Sequence, residues 1–189
     1  MPISKFRAIT TNLKGFTLIE LLVVMAIMAI IGIYILINFS DSREEQLLQK
    51  ELLQLQSTLK LAQSNASASV FCNENEAGAL WQVEVNPTAK TVNLSCFKKG
   101  DEEDKTSKKS YTLEPGVNAS FSCPGSTSEF SSTVTVTVTY TPYSGLPKFS
   151  GADTCGTNLT GLSVILRSEQ DETLFKQFTI STGGAVNAK

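Results

Sequence analysis

The 189-residue chain contains no histidine. That removes Ser-His-Asp and Cys-His nucleophile systems and every metal site that needs an imidazole. A lysine-activated serine would need a Ser-x-x-Lys pair beside a pocket, and Ser57-Thr58-Leu59-Lys60 falls instead on a helical stripe described below. With no acid/base constellation left, no enzymatic activity, catalytic residue or cofactor is expected. The four cysteines include no C-x-x-C pair, which argues against zinc. Asp101-Glu102-Glu103-Asp104 has the oxygen chemistry for calcium, but lysines flank it on both sides. A solvated mixed-charge loop is the plainer reading, and no metal is expected. Basic charge is scarce as well. Sixteen Lys and Arg stand against 18 Asp and Glu, so the chain has no electrostatic footprint for nucleic acid. Neither proline nor glycine occurs from residue 34 to residue 68, and from residue 16 to residue 37 the only charged side chain is Glu20.

That uncharged stretch is the chain's main feature. Its 22 residues would span roughly 33 Å as a helix, enough to cross a bilayer core. A lone carboxylate five residues into such a helix costs at least about 2.5 kcal/mol if it stays unpaired in lipid. A positive group from a neighbour is therefore expected to neutralise Glu20. A cleaved secretory signal would be shorter and followed by a small-residue site, whereas Tyr34-Ile35-Leu36-Ile37-Asn38-Phe39-Ser40 offers no A-x-A exit. Lys14-Gly15-Phe16-Thr17-Leu18-Ile19-Glu20-Leu21-Leu22-Val23-Val24 closely resembles the class III signal of type IV pilins and type II secretion pseudopilins. The resemblance implies that a prepilin peptidase/methyltransferase cuts after Gly15 and methylates the new N-terminal Phe16. It also implies that Glu20, fifth in the mature chain, pairs with the Phe16 amine of an adjacent subunit.

Residues 1–15 are then a leader, and its Lys5, Arg7 and Lys14 give it a charge of +3, leaving 13 bases against 18 acids in the remainder. Lys and Arg resist translocation, so the N-terminus is expected in the cytoplasm and the rest beyond the bacterial inner membrane. Cys72, Cys96, Cys123 and Cys155 all lie past the apolar run, at spacings of 24, 27 and 32. In an oxidising compartment they suggest two disulfides, with three pairings open. Sequential pairing, Cys72 with Cys96 and Cys123 with Cys155, is preferred, each bridge contributing about 3–4 kcal/mol.

Residues 16–39 read as the transmembrane and assembly helix and 40–68 as its amphipathic continuation. There Leu48, Leu52, Leu55, Leu59, Ala62 and Ala66 recur at spacings of four and three, forming one apolar stripe. One helix of about 50 residues follows, with no stem proline to kink it. From residue 69 to 189 the pattern is β. Strands are expected at Val70-Phe71-Cys72, at 79–85, at 91–97, from Asn118 to Cys123, along the Val/Thr run 132–140, at 162–167, at 174–180 and at the C-terminus. Asn86-Pro87-Thr88-Ala89-Lys90 and Tyr143-Ser144-Gly145-Leu146-Pro147 read as turns, and 98–110 as a solvated loop. Phe71 and Trp81 are expected in the core. This order, with Leu113-Glu114-Pro115-Gly116-Val117 and the closing Ile180-Ser181-Thr182-Gly183-Gly184-Ala185-Val186, is similar to the GspH/FimT group of minor pseudopilins and minor pilins. The fold class implied is α+β, a long N-terminal helix packed on an antiparallel two-sheet domain. The function implied is that of a minor pseudopilin or minor pilin of a type II secretion or type IV pilus machine, with other pilin subunits as partners. Two alternatives stand beside it. One is a DNA-binding minor pilin, for which the tail Gly184-Ala185-Val186-Asn187-Ala188-Lys189 offers a single base. The other is a single-pass anchored protein that never polymerises.

Overall fold

A computed structural model describes residues 16–72, 79–98, 100, 105–124, 129–130, 133–151 and 161–188. The chain divides into two compact units, Met1–Asp41 and Ser42–Lys189, and helix α1 (Leu18–Ser67, 50 residues) supplies part of each. In the first unit the described residues are α1 and the two residues before it. Nearly every side chain from 16 to 34 is exposed, with Phe16 at 83%.

The second unit is α+β. Its strands are β1 (Leu80–Asn86), β2 (Thr91–Phe97), β3 (Thr106–Thr112), β4 (Val117–Ser122), β5 (Glu129–Phe130), β6 (Val136–Tyr140), β7 (Pro147–Ser150), β8 (Gly161–Ser168), β9 (Phe175–Ser181) and β10 (Val186–Ala188). They form two five-stranded antiparallel sheets, ordered β3-β2-β1-β6-β7 and β10-β9-β8-β4-β5. The stripe Leu48, Leu52, Leu55, Leu59, Ala62 and Ala66 is buried in one core with the inward residues of both sheets. Each leucine so covered contributes about 1.5–3 kcal/mol. Alternation sets the strand faces. In β6 Val136, Val138 and Tyr140 are buried while Thr137 and Thr139 are half-buried on the other side.

Three strand expectations need correction. Val70-Phe71-Cys72 is not a strand. Helix α1 ends in a Schellman turn, where Ser69 takes φ 51°, the Val70 N–H donates to the Asn65 carbonyl at 2.9 Å and the Ser69 N–H to Ala66 at 3.1 Å. Among the described residues, the segment that leaves this turn pairs with no strand. It is held by the Trp81 Nε1–H, which donates to the Val70 carbonyl at 3.4 Å, and by a disulfide from Cys72. Phe71 accordingly lies outside the core, at 57% exposure, whereas Trp81 is buried as expected.

The expected loop over 98–110 is in part strand β3. An edge strand needs only backbone pairing on one side, so the polar sequence Thr106-Ser107-Lys108-Lys109-Ser110 pairs with β2 while its side chains stay in solvent. A register shift opposite Leu94/Ser95 and the two lysines blunt this edge against further strands. Asp101 to Asp104 lie outside the described residues. Finally, the Val/Thr run becomes a strand only at Val136, and Val134 is exposed before it.

Candidate functional site

Helix α1 begins where the apolar run begins, and the local chemistry explains why. Thr17 precedes the first helical residue, and its Oγ1 accepts the Glu20 N–H at 3.3 Å, while the Thr17 carbonyl accepts the same N–H at 3.1 Å and that of Leu21 at 3.2 Å. Thr17-Leu18-Ile19-Glu20 is thus an N-cap followed three residues later by a glutamate, the spacing of a capping box. In the sequence, the T-x-x-E spacing is the signal for this cap. A carboxylate in the first turn also faces the positive end of the helix dipole. The structure therefore gives Glu20 a local role as well as an exposed position, four residues after the exposed Phe16. Gly15 lies outside the described residues.

From Leu18 through Tyr34 the described part of the helix presents apolar side chains on all sides. A helix of that kind is covered in its working state, by lipid or by other helices. Among the described residues no helix is long and apolar enough to cross a membrane. In the sequence the apolar run continues to Ile37.

The cysteines stand as follows. Cys72 and Cys96 are disulfide-bonded with Cα atoms 5.6 Å apart, which ties the segment after α1 to β2. Cys123, at the end of β4, is also disulfide-bonded, and Cys155 lies outside the described residues. Among the described residues no three His, Cys, Asp or Glu side chains gather as a metal site.

One acid escaped notice in the sequence. Glu51 belongs to the buried stripe, three residues after Leu48 and four before Leu55, and is only 1% exposed. Its Oε2 has no hydrogen-bond partner, and the Tyr111 hydroxyl lies buried nearby. Thr58, equally buried, donates its hydroxyl to the Gln54 carbonyl at 2.9 Å. Burial pushes the Glu51 carboxyl above the ordinary glutamate value of about 4.3, against a smaller pull down from Lys50. Lys50 itself is spent on Glu114, at 2.6 Å. A raised folded-state pKa stabilises the fold fully below the unfolded value and loses that contribution as pH rises through the folded value. Glu51→Gln is therefore expected to be more stable than wild type, by a margin that grows from acid to neutral pH. Urea unfolding of both proteins across that range measures it, and a margin independent of pH refutes it.

A family model described as the prokaryotic N-terminal methylation motif matches residues 11–36, the stretch that contains Thr17, Glu20 and the exposed apolar helix. The match covers 26 of the 189 residues and shows the N-terminal methylation motif in this chain. Among solved structures, the chain is similar to the minor pseudopilin EpsH from the type II secretion system of Vibrio cholerae. The identity is 10% and the TM-score 0.49, over 76% of this chain and 94% of that one. A likeness of that size carries no functional statement. No curated protein matches the chain at a significant level.

Proposed function

We propose that the chain is a minor pseudopilin or minor pilin, a non-enzymatic subunit of a type II secretion or type IV pilus assembly, made as a prepilin and drawn into a filament. The observation that carries this reading is the helix behind the methylation motif, apolar on every described face and bearing one acid, Glu20, in its first turn. Such a surface must be covered. Before assembly the inner membrane covers it, with the leader in the cytoplasm and the unit Ser42–Lys189 on the far side. After assembly the stems of neighbouring subunits cover it. Glu20 is costly in lipid by at least about 2.5 kcal/mol, and the Phe16 amine of a neighbour removes that cost.

In this reading the peptidase cuts after Gly15, Phe16 is N-methylated, and residues 16–39, 40–68 and 69–189 act as assembly helix, stem continuation and globular domain of the GspH/FimT kind. Cys123 pairs with Cys155 as the second bridge of an exported domain. Mass spectrometry of the protein from its native host is expected to find a chain beginning at N-methylated Phe16. An intact leader in the wild type overturns the proposal.

A further inference from the structure

Beyond Ser42 helix α1 carries three acids, and the domain treats them differently. Glu44 Oε2 accepts the Ser168 hydroxyl at 2.7 Å, and Glu45 Oε1 meets the Lys176 ammonium at 2.7 Å. Both partners belong to the second sheet, on β8 and β9. Glu51 instead lies in the core, and its Oε2 is buried without a hydrogen-bond partner. The titratable groups around it are Lys50 on α1, Tyr111 of β3 and Glu114 of the turn after β3. Lys50 is spent on Glu114, and the exposed Lys109 sits 5.8 Å from the Tyr111 ring centre. A buried carboxylate with no cation of its own takes up a proton rather than keep its charge.

The strand that brings Tyr111 to Glu51 is weakly held. β3 is an edge strand, its pairing with β2 shifts register at Leu94/Ser95, and its side chains from Ser107 to Ser110 are exposed. Tyr111 is its one hydrophobic side chain, and it packs against the core. Just beyond, the chain is pinned again, because Leu113 is buried and its N–H donates to the Lys90 carbonyl at 2.8 Å. Helix α1, by contrast, is fixed on both sides of Glu51 by the buried Leu48, Leu52 and Leu55. Local opening starts where buried apolar contacts are fewest, so a charge at Glu51 is relieved by β3 and not by the helix.

We propose that Glu51 is a proton-operated latch on β3. With the carboxyl neutral, Tyr111 stays packed beside it and the strand stays on β2. With the carboxylate ionised, Tyr111 lifts, water reaches Glu51, and Thr106–Thr112 leaves the sheet with Leu113 as the hinge. The lifted strand bares the edge of β2, a row of N–H and C=O groups open to pairing with another strand. The sign follows from burial, which raises the Glu51 carboxyl against a smaller pull down from Lys50. The grip is complete below the value the group has when open, and it is lost as pH rises through the value it has when closed. A contact that depends on an ion pair, such as Lys50 with Glu114, would loosen in acid and so has the opposite sign. All of these residues lie in the unit Ser42–Lys189, so the latch does not rest on the assembly reading.

The test is amide hydrogen exchange, read by mass spectrometry on the full-length chain in detergent micelles at about pH 5 and about pH 8, each rate divided by the intrinsic rate at that pH. Protection of the peptide spanning β3 is expected to fall at least about fivefold between the two, while that of β8 and β9 stays within about twofold. In Glu51→Gln, a neutral side chain of the same shape, β3 should be equally protected at both pH values. In Lys50→Gln, which removes the exposed ion pair and one pull toward the ionised form, the fall should be at least as large as in the wild type. No fall in the wild type, a fall of the same size in Glu51→Gln, or its loss in Lys50→Gln overturns the proposal. So does a fall shared equally by β3, β8 and β9, which would mark unfolding of the whole domain.

Discussion

Glu20→Ala is expected to yield protein that is cleaved and held in the inner membrane but is depleted from filaments about a hundredfold or more. In a bundle of apolar stems the Glu20 carboxylate and a neighbour's Phe16 amine form a charge pair away from water. Removing one member leaves the other unpaired, at a cost of about 3–5 kcal/mol for buried pairs, and each 1.4 kcal/mol is about a factor of ten. The structure supplies the competing explanation and the means to separate it. Glu20 follows the Thr17 cap in the first turn of α1, so its loss also weakens the helix start. That effect is only about 0.3–1 kcal/mol, and the backbone bond from the Glu20 N–H to Thr17 survives the substitution. Glu20→Gln sharpens the contrast. It keeps a side chain able to accept at the helix start and removes the charge. If capping were the whole role, Glu20→Gln would assemble normally. If the carboxylate pairs with an amine, Glu20→Gln should fail like Glu20→Ala. Fractionation at native expression, comparing membrane-held with sheared or complex-bound protein, measures both, and normal incorporation of Glu20→Ala removes the pairing mechanism.

The helix and most strands could be read from sequence because periodicity reports burial. The leucine and alanine stripe from Leu48 to Ala66 is what the core holds, and the alternation in 136–140 is what β6 buries. The failures share a cause: the outcome was decided by a neighbour and not by the segment itself. The polar sequence of β3 becomes a strand because β2 offers it an unpaired edge. Val70-Phe71-Cys72 has strand-like residues, but after the Schellman turn at Ser69 it pairs with no strand among the described residues. A charge normally belongs on the solvent face, yet the spacing of Glu51 from Leu48 and Leu55 places it on the buried stripe.

The second large effect is expected from the bond between Cys72 and Cys96. The two residues are 24 apart in sequence, and closing a loop of that length removes unfolded-state entropy equivalent to about 3–4 kcal/mol in the chain-entropy model. Cys72→Ala with Cys96→Ala should therefore cost the domain about that much. At roughly 2–4 °C per kcal/mol for a unit of this size, the midpoint should fall by about 6–16 °C. Substitution is preferable to a reductant, which would also attack the bond at Cys123. The loss should also have a local signature. The chain has a single tryptophan, Trp81, buried at 4% exposure, and its indole N–H donates to the Val70 carbonyl two residues before Cys72. Without the disulfide, that 3.4 Å hydrogen bond and the turn at Ser69 are left to hold the segment that leaves α1. Trp81 emission in the double variant should shift to the red well below its unfolding midpoint, as the segment lifts and water reaches the ring. A midpoint lowered by less than about 2 °C, with Trp81 emission unchanged, would show that the packing of α1 on the sheets holds this segment without the bond.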